Sequence, residues 1–156
     1  SRSFTSSQLI ISSNRIFVPT NNNFYILNFT TGEINYKKNF TSFLKPLVVG
    51  DILYTVSNNL LIATAYETGK IIFSYDINQK IAEYLSTKKR KVELKSLMFL
   101  ENKIFIFLKN SFVLKFSNKG DLLEISKLPE KINSEPIIID DTLVFLNKKN
   151  KIAIIN

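Results

Sequence analysis

The sequence predicts an all-β chain, a β-propeller of four-stranded antiparallel blades, incomplete at about three and a half to four blades. Three observations predict it. The first is a repeat: Ile26–Ile34, Ala63–Ile71 and Val113–Leu122 each run from an apolar stretch through an aromatic and polar residues to a glycine. A charged residue and a second apolar stretch then follow. Those glycines, Gly32, Gly69 and Gly120, lie 37 and 51 residues apart, and a period near 40 belongs to blade architectures. The second observation is the density of short apolar runs separated by Asn, Asp and Gly. The third is that runs such as Leu60–Ala63 and Ile104–Leu108 are nearly continuous in apolar residues. A sheet with one wet face alternates, so these runs call for sheets covered on both faces, as neighbouring blades cover one another. A β-sandwich with buried strands is the competing architecture, and the turn chemistry at fixed offsets favours the propeller.

Each unit follows from its punctuation. In the first, spanning about 8–40, strands are expected at Leu9–Ile11, Arg15–Val18, Phe24–Phe29 and Glu33–Tyr36, with Asn21-Asn22-Asn23 as the middle turn. In the second, 45–77, they fall at Pro46–Val49, Ile52–Val56, Leu60–Tyr66 and Lys70–Tyr75, separated by Gly50-Asp51, Ser57-Asn58-Asn59 and the Gly69 turn. The third, 95–128, places strands at Leu97–Leu100, Lys103–Leu108, Ser111–Phe116 and Asp121–Ile125. The fourth, 135–156, has Glu135–Ile139, a turn at Asp140-Asp141, Leu143–Leu146 and Lys151–Ile155, without a glycine turn or outer strand. Asn and Asp suit these turns because their side chains bond the local backbone and tolerate positive φ. Glycine is expected where a Cβ would clash.

One insertion, 78–93, stretches the second spacing. Ile81, Tyr84 and Leu85 stand at i, i+3 and i+4, which predicts one amphipathic helical turn. Lys88, Lys89, Arg90 and Lys91 form the one dense charge run, and long loops on rigid β scaffolds carry binding. These four residues are the candidate partner contact, directed at an acidic protein surface or anionic lipid.

Composition excludes several chemistries. The chain has no His and no Cys, so nucleophile–base triads, zinc sites and thiol chemistry lack their usual residues. Its 13 carboxylates sit mainly in expected turns (Asp51, Glu67, Asp121, Asp140), and the adjacent pair Asp140-Asp141 reads as a turn, not a metal site. No two glycines lie close enough for a phosphate loop. The expectation is therefore no enzyme, no catalytic residue, no metal and no cofactor. The net charge of +8 is scattered through turns and strand ends of a Lys-, Asn- and Ile-rich chain, so no nucleic-acid partner is expected. No apolar run reaches membrane-spanning length, and Ser1–Ser7 holds no signal-peptide core.

Leu27–Tyr36 and Ala65–Phe73 resemble the repeat of the pyrroloquinoline-quinone-type propeller family, Ala-Leu-Asp-x-x-Thr-Gly-x-x-x-Trp. Tyr36, Phe73 and Glu124 stand where that repeat has the tryptophan that docks blade on blade. The stretches Ser134–Phe145 and Ile152–Asn156 resemble the last blade of BamB-type lipoproteins of the outer-membrane β-barrel assembly machinery. That resemblance implies a non-catalytic scaffold, periplasmic and associated with the bacterial outer membrane. Its partners would be the assembly machinery and unfolded outer-membrane proteins. It further implies the C-terminal half of a longer protein, whose lipid-anchored cysteine upstream of Ser1 would give the only membrane association. Alternatives are a fragment of a quinone-dependent dehydrogenase, for which no residue matches a cofactor role, and a generic protein-interaction propeller.

Overall fold

The computed structural model describes residues 8–155, which form fifteen strands and one helix. The stretch read for a signal-peptide core, 1–7, and the last residue of the terminal-blade motif, Asn156, lie outside the described residues. The chain divides into two compact units between Lys89 and Arg90, inside the expected insertion.

The first unit holds two four-stranded antiparallel sheets. One is β1 (Ile10–Ser12), β2 (Arg15–Pro19), β3 (Phe24–Asn28) and β4 (Ile34–Lys38), in that order. The other is β5 (Leu47–Val49), β6 (Ile52–Ser57), β7 (Leu60–Ala65) and β8 (Lys70–Asp76), followed by helix α1 (Ile77–Tyr84). Buried Phe17, Phe24 and Ile26 of the first sheet pack with Leu53 and Tyr66 of the second, joined by Ile10, Tyr36, Phe40 and Val48. Phe17 and Tyr66 meet edge to face with ring centroids 5.5 Å apart, the geometry their quadrupoles prefer.

The second unit repeats the plan. Strands β9 (Leu94–Leu100), β10 (Lys103–Leu108), β11 (Phe112–Ser117) and β12 (Leu122–Lys127) form a four-stranded sheet. A three-stranded sheet follows, with β13 (Ile137–Ile139), β14 (Thr142–Leu146) and β15 (Ile152–Ile155). Phe107 and Val113 pack with Phe145 and Ala153 around Ile132, which lies between the sheets in sequence. The Ile132 amide donates to the buried Ser111 hydroxyl at 2.9 Å, so the connecting segment enters the core with its polar group satisfied.

All four expected sheets are present, with strand ends displaced by at most three residues. The largest displacement is at β9, which begins at Leu94 instead of Leu97. The first hairpin of each sheet turns on two residues. Ser13-Asn14, Glu101-Asn102 and Asp140-Asp141 all have two positive φ values, as a type I′ turn requires, whereas in the β5–β6 hairpin only Gly50 has a positive φ, at +55°. Asn58-Asn59 makes a further turn of the same kind. The near-continuous runs are buried on both faces: Leu61 to Thr64 are all covered, as are Ile104, Ile106, Phe107 and Leu108.

One feature shared by three sheets was not expected. Each third-to-fourth strand ladder carries a register shift at the same place, between Ile26 and Leu27, Ala63 and Thr64, and Lys115 and Phe116. Beyond it the pairs Ile26–Tyr36, Ala63–Phe73 and Lys115–Glu124 are equivalent. The bulge supplies an extra residue and twists the outer strand, which re-aims the side chain that follows it.

This register corrects the alignment of the third repeat, in the β9–β12 sheet. Gly32 and Gly69 donate their amides to the carbonyls four residues back, Asn28 and Ala65, whereas Gly120 donates to Ser117, three back. The third turn is one residue shorter. Phe116 therefore occupies the position of Leu27 and Thr64 inside the ladder, not that of Phe29 and Tyr66 in the turn, and it is fully buried. A second correction concerns the insertion, whose helix is eight residues long and begins at Ile77. Its covered residues are Ile77, Asn78 and Ala82, while Tyr84 and Leu85 are exposed.

Gly32 and Gly69 both have φ near +70°, where an L side chain is strained by roughly 1 kcal/mol. A Cβ at Gly32 would meet open space, but one at Gly69 would lie 3.3 Å from both the Tyr36 ring and the Lys38 ammonium. Gly69→Ala is therefore expected to lower the midpoint of urea unfolding more than Gly32→Ala does. Equal losses would mean that only backbone strain operates.

Candidate functional site

Two places gather side chains that do more than fill the core. The first is the Gly69 turn. Tyr36 leaves β4 just after the bulge and lays its ring against Gly69, where a side chain would collide. Lys38, two residues on and so on the same face, donates to the Gly69 carbonyl and lies 5.6 Å over the Tyr36 ring. Arg15 of β2 bonds the Glu67 carboxylate of the same turn at 2.9 Å, with its own side chain only 18% exposed. Three residues of one sheet thus clamp the glycine turn of the next. The sequence placed Tyr36 at the tryptophan position of the resembled repeat, and in the structure it docks sheet on sheet.

Burial, with the Glu67 carboxylate adding to it, pushes the Tyr36 phenol up to about 12. Its hydroxyl is enclosed without a well-formed hydrogen bond. Phe73 holds the equivalent position in the second sheet and packs near Tyr54 and Tyr75, at 6.3 and 5.0 Å between centroids. Glu124, the third equivalent, is exposed and lies 3.3 Å from Lys115 across the ladder.

The second place is the insertion. Helix α1 starts because Asp76, still extended at φ −76° and ψ 109°, accepts the Gln79 amide at 3.1 Å. Lys89 returns to pair with the same carboxylate. That ammonium, with the backbone amides behind it, holds the Asp76 carboxyl below the usual carboxylate range. Lys80 lies 4.6 Å over the Tyr75 ring. Of the four basic candidates, Lys89 is thus engaged in closing the helix, whereas Lys88, Arg90 and Lys91 are exposed. The run straddles the division between the two units, so Lys88 and Lys89 belong to the first and Arg90 and Lys91 to the second.

Of the repeat glycines, Gly69 is part of the clamp, and Gly32 and Gly120 have the same left-handed φ, at +73° and +90°. Arg15, Lys38 and Asp76 were not singled out from sequence. The i, i+2 spacing of Tyr36 and Lys38 on one strand face is the signal that could have found Lys38. Among the described residues no group of three or more His, Cys, Asp or Glu is placed to hold a metal ion.

Two pH dependences follow. The neutral Tyr36 phenol is favoured by folding, so its contribution is intact below pH 10 and is lost as pH rises toward about 12. Tyr36→Phe keeps the ring and is expected to flatten this alkaline loss in thermal melts, leaving the smaller share of Tyr54, also raised by burial. An unchanged slope would contradict the assignment. Asp76 acts in the opposite sense: its contribution is present above the ordinary carboxylate range and is lost as pH falls through its lowered value. Asp76→Ala is expected to cost about 1 kcal/mol at neutral pH and to reduce the acid dependence. Circular dichroism across pH 2–6 measures it.

No protein-family model matches the chain, and no curated protein matches it in sequence. Solved structures do. BamB from Moraxella catarrhalis aligns over 96% of this chain and 58% of its own length, with a TM-score of 0.58 and 10% identity. The computationally designed Ika4 protein aligns over 100% of this chain and 94% of its own, at a TM-score of 0.68 and 12% identity. The designed Ika8 protein aligns over 97% of this chain and 45% of its own, at 0.66 and 12%. The chain therefore spans less than two thirds of the length of BamB. Likeness at these identities speaks to fold: the chain is all-β, with the four-stranded antiparallel blades of an incomplete propeller and not the layers of a sandwich.

Proposed function

We propose that the chain is part of a non-catalytic propeller scaffold that holds partner proteins, and that its setting is the assembly of β-barrel proteins at the bacterial outer membrane. The observation that carries this reading is the fold likeness to BamB over 96% of the chain. The terminal-unit resemblance read from Ser134–Phe145 supports the same setting. The sheets supply a frame and the insertion supplies an exposed basic surface, the division of labour by which β scaffolds bind. Partner recognition needs no bond making: rim charges orient the partner, and extended segments pair with exposed backbone.

Within that reading, the candidate contact is the basic run. Lys88, Arg90 and Lys91 would meet an acidic partner surface, each contributing at most ~1 kcal/mol. Lys89 contributes less, because Asp76 already engages it.

The test is capture of the membrane-embedded assembly subunit by the protein, with and without charge reversal at Lys88, Arg90 and Lys91. The expected result is capture that weakens with added salt and falls at least tenfold on reversal. Absence of capture would contradict the assembly role, and capture insensitive to reversal would remove the basic run from it. The non-catalytic reading has its own arm. Adding pyrroloquinoline quinone and calcium should give no dye-coupled alcohol oxidation, and turnover would overturn it.

A further inference from the structure

Charges that alternate in sign along the sequence of the second unit are sorted by its fold. One end of the unit is built from the β10–β11 turn, the segment joining β12 to β13, and the β14–β15 turn. Hydrogen bonds tie the three together. The Leu128 amide donates to the Ser111 carbonyl at 2.9 Å, the Lys148 amide donates to the Lys131 carbonyl at 2.9 Å, and Ile132 bridges to Asn147. Lys109, Lys127, Lys131, Lys148, Lys149 and Lys151 stand at this end, and all are exposed. The carboxylates beside them are Glu93, Glu130 and Glu135. Two of these are engaged: Glu93 lies 3.3 Å from Lys109, and Glu130 accepts from the Asn147 side-chain amide. At the opposite end the hairpin turns carry Glu101, Asp121, Asp140 and Asp141 against Lys103 and Lys119.

The two ends act separately in water. Strands β10 and β11 are six residues long, which at ~3.3 Å per residue sets the ends about 20 Å apart. That exceeds the screening length of about 8 Å at physiological salt, so the acidic end does not cancel the basic one. The residue types then say what the basic end meets. Protein interfaces are depleted in lysine and enriched in arginine and aromatics. Single-stranded nucleic acid is held by aromatic stacking as well as by charge. The two turns and the joining segment contain neither arginine nor an aromatic residue, and Lys127 lies 5.6 Å over the neighbouring Phe112 ring. Lysine is a mobile point charge, suited to many loosely placed anionic groups in a plane and not to one phosphate or carboxylate gripped in a set geometry. Four to eight such cations in a cluster are what an anionic lipid surface reads.

We propose that this lysine end of the second unit docks on bilayers that carry anionic phospholipid, with the headgroup phosphates facing the six ammonium groups. The attraction is long-range and needs no insertion into the acyl region. Each lysine within reach of the surface strengthens binding about fivefold, and added salt weakens it. The acid-rich opposite end is repelled, so the unit meets the bilayer with its strands upright and its hairpin turns Lys109–Ser111 and Asn147–Lys151 against the headgroups. The inference goes beyond the assembly role and stands without it.

Co-sedimentation of the 156-residue chain with vesicles tests it. Mixed phosphatidylglycerol–phosphatidylcholine vesicles are expected to bind the chain at low salt and to release it at high salt, whereas phosphatidylcholine vesicles leave it in solution. Lys148→Glu with Lys149→Glu should weaken binding at least tenfold. Lys103→Glu with Lys119→Glu makes the same change in net charge at the opposite end and should weaken it far less. Circular dichroism checks that both variants fold, and Lys148→Gln with Lys149→Gln repeats the test with a smaller change of charge. Equal losses from the two ends would mean that overall charge acts and not this surface, which overturns the proposal. Binding to neutral vesicles as strong as to anionic ones overturns it too. So does retention on polyglutamate or single-stranded RNA with anionic vesicles left unbound, which would assign the lysines to an acidic protein or to nucleic acid.

Discussion

A four-stranded sheet with apolar residues on both faces can exist in water only if other sheets cover it, and that constraint organises this chain. The middle strands show it most plainly. Leu53 and Thr64 are a cross-strand pair facing the neighbouring sheet, while Tyr54 and Ala63 face the other way, and all four are buried. At roughly 25 cal/mol per Å² of apolar surface removed from water, covering such faces is the main driving force for stacking the sheets. The polar contacts have a different task, which is to fix how one sheet sits on the next.

In the first unit that task falls to the Gly69 turn. Gly69 has a left-handed backbone and no side chain, and the Tyr36 ring lies against it where a Cβ would stand 3.3 Å away. Lys38 and Arg15 then grip the turn by its carbonyl and its carboxylate. Apolar burial tolerates sliding, whereas a ring seated on a glycine and two directed charge contacts do not. A tyrosine serves where the resembled repeat has tryptophan because the ring is what the geometry uses, and its hydroxyl is carried into the interface at some cost.

Much of this was legible in the residues, for stated reasons. Two-residue hairpins announce themselves because Asn-Asn, Asp-Asp and Gly-Asp tolerate the left-handed backbone they need. The apolar runs announced sheets covered on both faces. Tyr36 was legible through its offset from Gly32 in the repeat. The third repeat was misaligned because its turn is one residue shorter, and counting from the aromatic instead of from the bulge hides the difference. The helix was read from Ile81, Tyr84 and Leu85, but Asp76 starts it earlier, so the face that meets the sheet is Ile77, Asn78 and Ala82. The clamp partners Arg15 and Glu67 lie 52 residues apart, and nothing local in sequence joins them.

The most direct measurement is the nuclear Overhauser contact between the Tyr36 ring protons and the α-protons of Gly69 in the folded chain. A strong cross-peak that disappears in Gly69→Val, while the remaining β-sheet signals persist, is the result predicted by a ring seated on a glycine turn. A Tyr36 ring that contacts only residues of its own sheet, with no cross-peak to Gly69, would contradict it.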